Sequence, residues 1–121
     1  MKITLTDVSN TDVIQLFSEY DDFIIDFLGD DKVFYTRYNS NENIEVVWVA
    51  YCDDIPLGCV AFRKKTSEIG EVKRMFVKDK YRRQGIAKSL LFMVVNHATE
   101  HNCNALYLDT RITLKSAVSL Y

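Results

Sequence analysis

The pattern of apolar and polar positions along the chain predicts five β-strands. A short strand is indicated where Ile3 and Leu5 alternate with polar residues. The other predicted strands are runs rich in β-branched and aromatic residues, at 44–51, 56–62, 69–77 and 105–108. Asp53 and Asp54 lie between the second and third runs and predict the turn of a hairpin. We expect residues 69–77 to add a third antiparallel strand to that hairpin.

Helical spacing predicts two helices. Asn10 is a candidate N-cap for a helix that carries apolar residues at 13, 14, 16, 17 and 20, and a second apolar group continues to Gly29. A second helix is predicted over residues 86–101, where Leu90, Leu91, Val94, Val95 and Ala98 share one face. Since this helix stands between two strands, those strands should pair in parallel through a crossover.

These elements predict an α+β fold with a mixed, mainly antiparallel sheet flanked by helices. A chain of 121 residues fits a single domain spanning residues 1–121. An antiparallel sheet that turns parallel near its end should have a site where the two parallel strands part. The polar connection at 30–43 is a candidate for shaping a substrate pocket.

Composition and charge exclude several classes of protein. No apolar run approaches the ~20 residues that span a bilayer, and the start has no apolar signal region, so we expect a cytosolic protein that does not bind membranes. Residues 1–60 carry twelve acidic and three basic side chains, whereas residues 61–121 carry five and twelve. The basic half suits a polyanionic ligand and the acidic half a cationic one. With a net charge of −2 and no extended basic stripe, nucleic acid is not an expected partner.

Cysteine and histidine residues give little sign of a disulfide or a metal site. Cys52, Cys59 and Cys103 are odd in number and have no Cys-x-x-Cys spacing, so buried free thiols are expected. His97 and His101 have metal-compatible helical spacing, but no second cluster of ligands accompanies them. We therefore expect no bound metal.

The loop before the second helix is the strongest candidate for a binding site. It reads Arg82, Arg83, Gln84, Gly85, Ile86, Ala87 and Lys88. A helix that begins on small residues presents unpaired N–H groups, and Gly85 allows close approach to an anion. Cationic side chains converge on the same helix end, which the helix dipole already makes favourable for negative charge. The loop is therefore a candidate phosphate cradle, or, in the simpler interpretation, a solvated basic turn.

The flanking sequence resembles motif A of the GNAT superfamily of N-acetyltransferases. The resemblance rests on residues 71–77, the loop itself and Leu90-Leu91, and it extends in register from about Val46 to the last residue. Leu106-Tyr107-Leu108-Asp109-Thr110 resembles the fifth strand of that family, and residues 117–121 resemble its Ala-x-x-Leu-Tyr helix.

The resemblance implies an enzyme that moves an acetyl group from acetyl-CoA to an amine of a small molecule or peptide. The backbone of Met75, Phe76 and Val77 would pair with the pantetheine amides, and residues 82–88 would bind the pyrophosphate. Glu71 is the candidate general base; the alternative is a structural carboxylate paired with Lys73 or Arg74. Tyr121 matches the residue that commonly gives a proton to the leaving thiolate, and its alternative is a half-buried aromatic residue.

The sequence ends before the two strands that usually follow the Leu-Tyr helix in the family. Strand 105–108 would then keep an unpaired edge, so we expect self-association as a homodimer that covers it. Two other functions stay open: a non-catalytic acyl-CoA-binding protein, and an interaction module that recruits a partner through an open sheet edge.

Overall fold

The computed structural model describes residues 1–28, 43–109 and 115–119, with side chains described for residues 1–23 and 43–107. The strands are β1 (Lys2–Thr6), β2 (Val46–Cys52), β3 (Ile55–Lys64), β4 (Ile69–Val77), β5 (Ala105–Asp109) and β6 (Lys115–Ser119). The helices are α1 (Thr11–Leu28) and α2 (Ile86–Glu100), and a 3-10 turn at Asp79–Tyr81 follows β4.

The six strands form one sheet in which chain order is also spatial order. Each neighbouring pair is antiparallel except β4 and β5, which run parallel with α2 as the connection. The predicted α+β fold with a mixed, mainly antiparallel sheet is confirmed. The hairpin of β2 and β3 turns at Asp53-Asp54 as predicted, and Asp53 adopts a left-handed φ of 54° there.

Helix α1 begins as its sequence predicts. The Asn10 side-chain oxygen accepts hydrogen bonds from the backbone N–H groups of Asp12, at 2.8 Å, and Val13, at 3.2 Å. This N-cap satisfies two donors that the first turn cannot pair internally, a contribution of about 1 kcal/mol. The helix then buries Val13, Leu16, Phe17 and Tyr20 against the sheet.

The sheet has an apolar core on each face, because β2 and β3 are buried on both sides. Cys59 and Ala61 of β3 pack in a cluster with α1, whereas Val60 and Phe62 pack in a second cluster with α2. Alternate residues of a strand point to opposite faces, so this division follows from the strand itself. We refer to the two sides of the sheet as the α1 face and the α2 face. On the α2 face, Ile86, Leu90, Val94 and Ala98 form the buried stripe of α2.

The predicted helix at residues 117–121 is wrong for the residues that the structure describes. Lys115–Ser119 forms β6, which pairs antiparallel with β5 from Ala105↔Ser119 to Asp109↔Lys115. A helix of about one turn gains little from its first hydrogen bond, whereas the outer edge of β5 offers a row of N–H and C=O partners. Leu120 and Tyr121 lie outside the described residues.

The pairing of β6 also corrects the expected edge. Strand β5 has β4 on one side and β6 on the other, so the outer edge that we expected to be unpaired is covered by its own chain. Formation of a homodimer stays a prediction, but an uncovered β5 edge no longer supports it.

Two of the three cysteines are buried free thiols as predicted, while Cys52 is exposed. Burial raises the pKa of Cys59 to about 12, so its thiol stays protonated and chemically inert at neutral pH. Within the described ranges, neither helix combines the length and the apolar character of a membrane span.

The imidazole of His97 forms a polar spot in the apolar cluster on the α2 face. It contacts the rings of Trp48 and Phe62 edge-on, with centroids 5.2 and 5.0 Å away, and stacks on His101 at 4.0 Å. Burial lowers the pKa of His97, and the neighbouring charges of His101 and Lys64 lower it further, while those of Glu45 and Glu100 raise it. The folded protein therefore favours the neutral ring.

We predict that His97 makes the fold less stable in mild acid. The unfolded chain takes up the proton more readily, so the free energy of unfolding should be unaffected above a pH of about 6.5 and fall as the pH drops below it. The variant His97→Phe, which keeps an aromatic ring but cannot titrate, should lose less thermal stability than the parent between pH 7.5 and pH 5. Thermal unfolding at half-unit pH intervals measures this, and parallel curves for the two proteins would contradict it.

Candidate functional site

Strands β4 and β5 separate halfway along β4. Their parallel pairing runs from Ile69↔Ala105 to Val72↔Leu108 and then stops, whereas β4 continues to Val77 with β3 as its neighbour. Beyond Val72, no strand in the described part of the chain pairs with β4 on the β5 side. The predicted separation of the two parallel strands is confirmed, and a site at this point stays a prediction.

A β-bulge in β4 lies just past this separation. The register with β3 changes from Ala61↔Lys73 to Cys59↔Phe76, so Arg74 and Met75 together stand opposite Val60. Arg74 has a left-handed φ of 51°, a conformation that costs a residue other than glycine about 1–2 kcal/mol. A bulge of this kind bends the strand that carries it.

The three residues predicted to line this edge contribute their backbone rather than their side chains. Phe76 is buried on the α1 face and Val77 on the α2 face, and Met75 packs against the cluster on the α2 face. The open side of β4 therefore presents peptide groups on a rigid, well-packed strand. An extended ligand that carries amide groups could pair with it as an added strand would.

The loop after β4 leads directly to the N-terminus of α2. Gly85 is the N-cap, with a left-handed φ of 80°, and a Cβ placed on it would meet no described atom within 4 Å. Arg83 is also left-handed, with a φ of 65°. Left-handed residues in a turn direct successive N–H groups to one side, which is typical of backbone concavities that bind anions.

The side chains of the predicted cradle divide into two groups. Arg83, Gln84, Ala87 and Lys88 are exposed at the end of the helix, whereas Ile86 is buried in the core on the α2 face. Ile86 can therefore offer only its backbone N–H. The helix end combines this open backbone with exposed cations, which is the arrangement that the sequence predicted for an anion.

Arg82 has a structural role that sequence reasoning missed. Its Nε donates a hydrogen bond to the carbonyl oxygen of Val77 at 2.9 Å, and its Nη1 lies 3.2 Å from a carboxylate oxygen of Asp79. The guanidinium also lies over the ring of Phe23 in α1, 4.9 Å from the centroid. The side chain is thus directed back toward β4, and it fastens the loop to the end of that strand.

Glu71 lies on the α1 face, one residue before the last paired position of β4 and β5. Its side chain is 4% exposed, and its Oε1 accepts a hydrogen bond from Arg63 Nε at 2.9 Å. Arg63 is its cross-strand neighbour on β3, two residues from the Ala61 that packs against α1. The structural alternative named Lys73 or Arg74 as partners of Glu71, and the structure adds an ion pair with Arg63 that the sequence did not indicate.

Arg74 forms a second ion pair that the sequence did not indicate. Its Nη1 donates to Oδ1 of Asp21 in α1 at 2.7 Å, and the guanidinium lies over the ring of Phe17 at 4.7 Å. The two charged residues are 53 positions apart, so no local pattern could have revealed the pair. It connects the bulge of β4 directly to α1.

Tyr121, the predicted proton donor, lies outside the described residues, as does most of the polar connection at 30–43. Among the described residues, no three His, Cys, Asp or Glu side chains come together in a way that could hold a metal ion.

Comparison with known protein families gives a match over nearly the whole sequence. Residues 6–121 match the acetyltransferase (GNAT) family. Among curated proteins, N-alpha-acetyltransferase 30 of Dictyostelium discoideum is 28% identical over 93 residues, which are 74% of this chain and 50% of that protein. Probable N-acetyltransferase 14 of Xenopus tropicalis is 33% identical over 94 residues, which are 76% of this chain and 45% of that protein. The chain spans about half the length of these relatives.

Solved structures show the same fold at low sequence identity. An aminoglycoside 6'-N-acetyltransferase complexed with coenzyme A superposes with a TM-score of 0.68 at 17% identity, covering 91% of this chain and 62% of that one. Tetrahymena GCN5 gives a TM-score of 0.65 at 14% identity, covering 91% of this chain and 71% of that one. The match over residues 6–121 shows that the chain belongs to the GNAT family of acetyltransferases.

Proposed function

We propose that this chain is an N-acetyltransferase that moves the acetyl group of acetyl-CoA to an amine of a small molecule or peptide by direct attack. One observation carries the proposal. The open edge of β4 past Val72 leads through the loop at 78–85 to the N-terminus of α2. A ligand with two amides and a pyrophosphate could lie along this surface, and coenzyme A has both.

The relatives support the same donor and the same kind of acceptor. One structural neighbour is complexed with coenzyme A and another, at a TM-score of 0.52, with acetyl coenzyme A. The names of the curated relatives describe N-acetyltransferases. We infer that the acceptor of this chain is an amine.

The residues present fit this donor. Backbone groups of Met75, Phe76 and Val77 would hold the pantetheine, and the N–H groups of residues 85–88 would hold the pyrophosphate with Arg83 and Lys88 nearby. The space in front of Gly85 supports the fit, since a Cβ there would meet no described atom within 4 Å. When bound, acetyl-CoA supplies a thioester carbonyl that an amine can attack.

The chain must also remove a proton from the amine. An amine is mostly protonated at neutral pH because its pKa is about 10. We infer that Glu71 accepts this proton, directly or through water, since it lies close to the separation of β4 and β5. Its ion pair with Arg63 holds the carboxylate in one orientation. Tyr121 is the proposed donor of a proton to the departing thiolate, and its support is the resemblance described above.

Charge placed at Gly85 should disrupt donor binding. Any residue other than glycine is strained at a φ of 80°, so the comparison is between Gly85→Glu and the equally strained Gly85→Gln. We expect Gly85→Glu to bind acetyl-CoA about tenfold or more weakly than Gly85→Gln, a difference of about 1.4 kcal/mol, because only the former puts negative charge beside the pyrophosphate. Isothermal titration calorimetry measures both affinities. Equal affinities would show that the pyrophosphate does not bind at this helix end.

Removing the basicity of Glu71 should slow the reaction without weakening donor binding. We expect Glu71→Gln to lower kcat about 10²-fold near neutral pH and to recover in part at high pH, where free amine is abundant. The measurements are the pH profile of kcat and the Kd for acetyl-CoA.

A double variant separates this role from a structural one. If Glu71 only neutralises Arg63, then Arg63→Gln combined with Glu71→Gln removes both charges and should restore stability and activity together. If Glu71 is the base, the double variant should regain thermal stability and stay slow. A Glu71→Gln protein as fast as the parent at every pH would reduce Glu71 to a partner of Arg63.

Thiol release distinguishes an enzyme from a binding protein. We expect free CoA to appear from acetyl-CoA at a rate that rises with amine concentration when a panel of small amines and peptide N-termini is supplied. A thiol-reactive chromophore records the rate. Saturable acetyl-CoA binding with no amine-dependent release would instead indicate a non-catalytic acyl-CoA-binding protein.

A further inference from the structure

We propose that Asp21 and Arg74 are positioning residues: their ion pair holds the bulge of β4 in place and so shapes the edge that binds the acyl donor. The proposal rests on the function inferred above. It assigns to α1 an indirect part in donor binding, because the edge itself belongs to β4.

The contacts of Arg74 show how firmly its side chain is held on the α1 face. The side chain is 5% exposed, and Nη1 lies 2.7 Å from Asp21 Oδ1. The guanidinium lies over the rings of Phe17 and Tyr20, 4.7 and 5.9 Å from their centroids. Asp21, Phe17 and Tyr20 all belong to α1. The carbonyl oxygen of Arg74 also accepts a hydrogen bond from the Cys59 thiol at 3.5 Å.

The bulge is what allows Arg74 to reach these partners. Lys73 pairs with Ala61, so its side chain is on the α1 face, and in a regular strand the next residue would point to the α2 face. The left-handed backbone of Arg74 places two successive side chains on the α1 face instead. A regular strand would direct the guanidinium into the apolar cluster of the α2 face, where Trp48, Phe62 and Leu90 are buried.

The same register decides where the donor edge points. With the bulge present, Met75 packs against the α2 face, Phe76 against the α1 face and Val77 again against the α2 face. Removal of the bulge would reverse each of these side chains, because a shift of one residue turns every following side chain to the opposite face. The peptide groups of the open edge would turn with them. The ion pair therefore stabilises the one register that fits both cores and the proposed donor.

The test begins with amide hydrogen exchange in the ligand-free protein. Asp21 is 39% exposed at its side chain, so Asp21→Asn can stay solvated and keeps the shape while it removes the charge. We expect the amides of residues 74–77 that face β3 to exchange about tenfold faster in this variant, since a charge-assisted hydrogen bond has been lost, while those of residues 69–72 are unchanged. Asp21→Glu, which keeps the charge, should restore most of the protection.

The second measurement is the Kd for acetyl-CoA, with a matched control. Tyr51 donates a hydrogen bond of 2.6 Å to Asp12 and so also fastens α1 to the sheet, but it lies on β2, which β3 separates from β4, and its partner is in the first turn of α1. We expect Asp21→Asn to raise the Kd about tenfold and Tyr51→Phe to leave it near the parent value, although both lower thermal stability.

Either of two results would overturn the proposal. One is unchanged exchange at residues 74–77 in Asp21→Asn, and the other is an equal effect of Tyr51→Phe on exchange and on Kd. If the parent protein itself fails to bind acetyl-CoA, the proposed function is wrong. The exchange comparison still decides in that case whether the ion pair holds the bulge.

Discussion

The structure depends on one constraint: β4 must pair with β5 over its first half and leave β5 over its second half. The first half pairs with both neighbouring strands. Val72 is buried in the apolar cluster between the sheet and α2, and Glu71 forms its ion pair with Arg63 on the α1 face. The second half has no strand partner on one side. In the interior of a sheet, backbone N–H and C=O groups without partners would cost free energy. Packing against both cores keeps that half extended, and so the unpaired edge stays available for a ligand.

The bulge at Arg74 reconciles these two halves. The backbone of this residue is strained, and the strain is offset by contacts that only the bulged register allows. Backbone strain of this kind is common where a strand must direct its groups at a ligand. In this family member the compensation comes from a helix that is distant in sequence. The bulge of β4 is therefore connected to α1 by a direct ion pair.

Much of this arrangement could be predicted from the sequence, because local patterns determine it. The Asn10 cap, the hairpin at Asp53-Asp54, the buried stripe of α2 and the crossover between β4 and β5 all follow from periodicity and turn chemistry. The residue types of the loop also predicted that the second helix begins directly after Gly85. Each of these features is decided by residues within a few positions of one another.

The features that the sequence did not reveal depend on contacts between residues that are far apart in the chain. Residues 115–119 became a strand because β5 offered a partner, which no local propensity reveals. Arg63 was overlooked as the partner of Glu71, since only the register of β3 and β4 brings the two together. The hydrogen bond from Arg82 to the carbonyl oxygen of Val77 was not indicated by the sequence either, and binding of Arg82 to the pyrophosphate stays a prediction.

That hydrogen bond has a consequence for how a ligand would arrive. The guanidinium of Arg82 joins the end of β4, the carboxylate of Asp79 and the Phe23 ring of α1, so it fixes the loop before any anion is present. A loop that is ordered in advance loses little conformational freedom when a ligand binds. If a pyrophosphate binds at this helix end as proposed, it would meet a loop that is already ordered, because the conformational entropy of the loop is lost during folding instead.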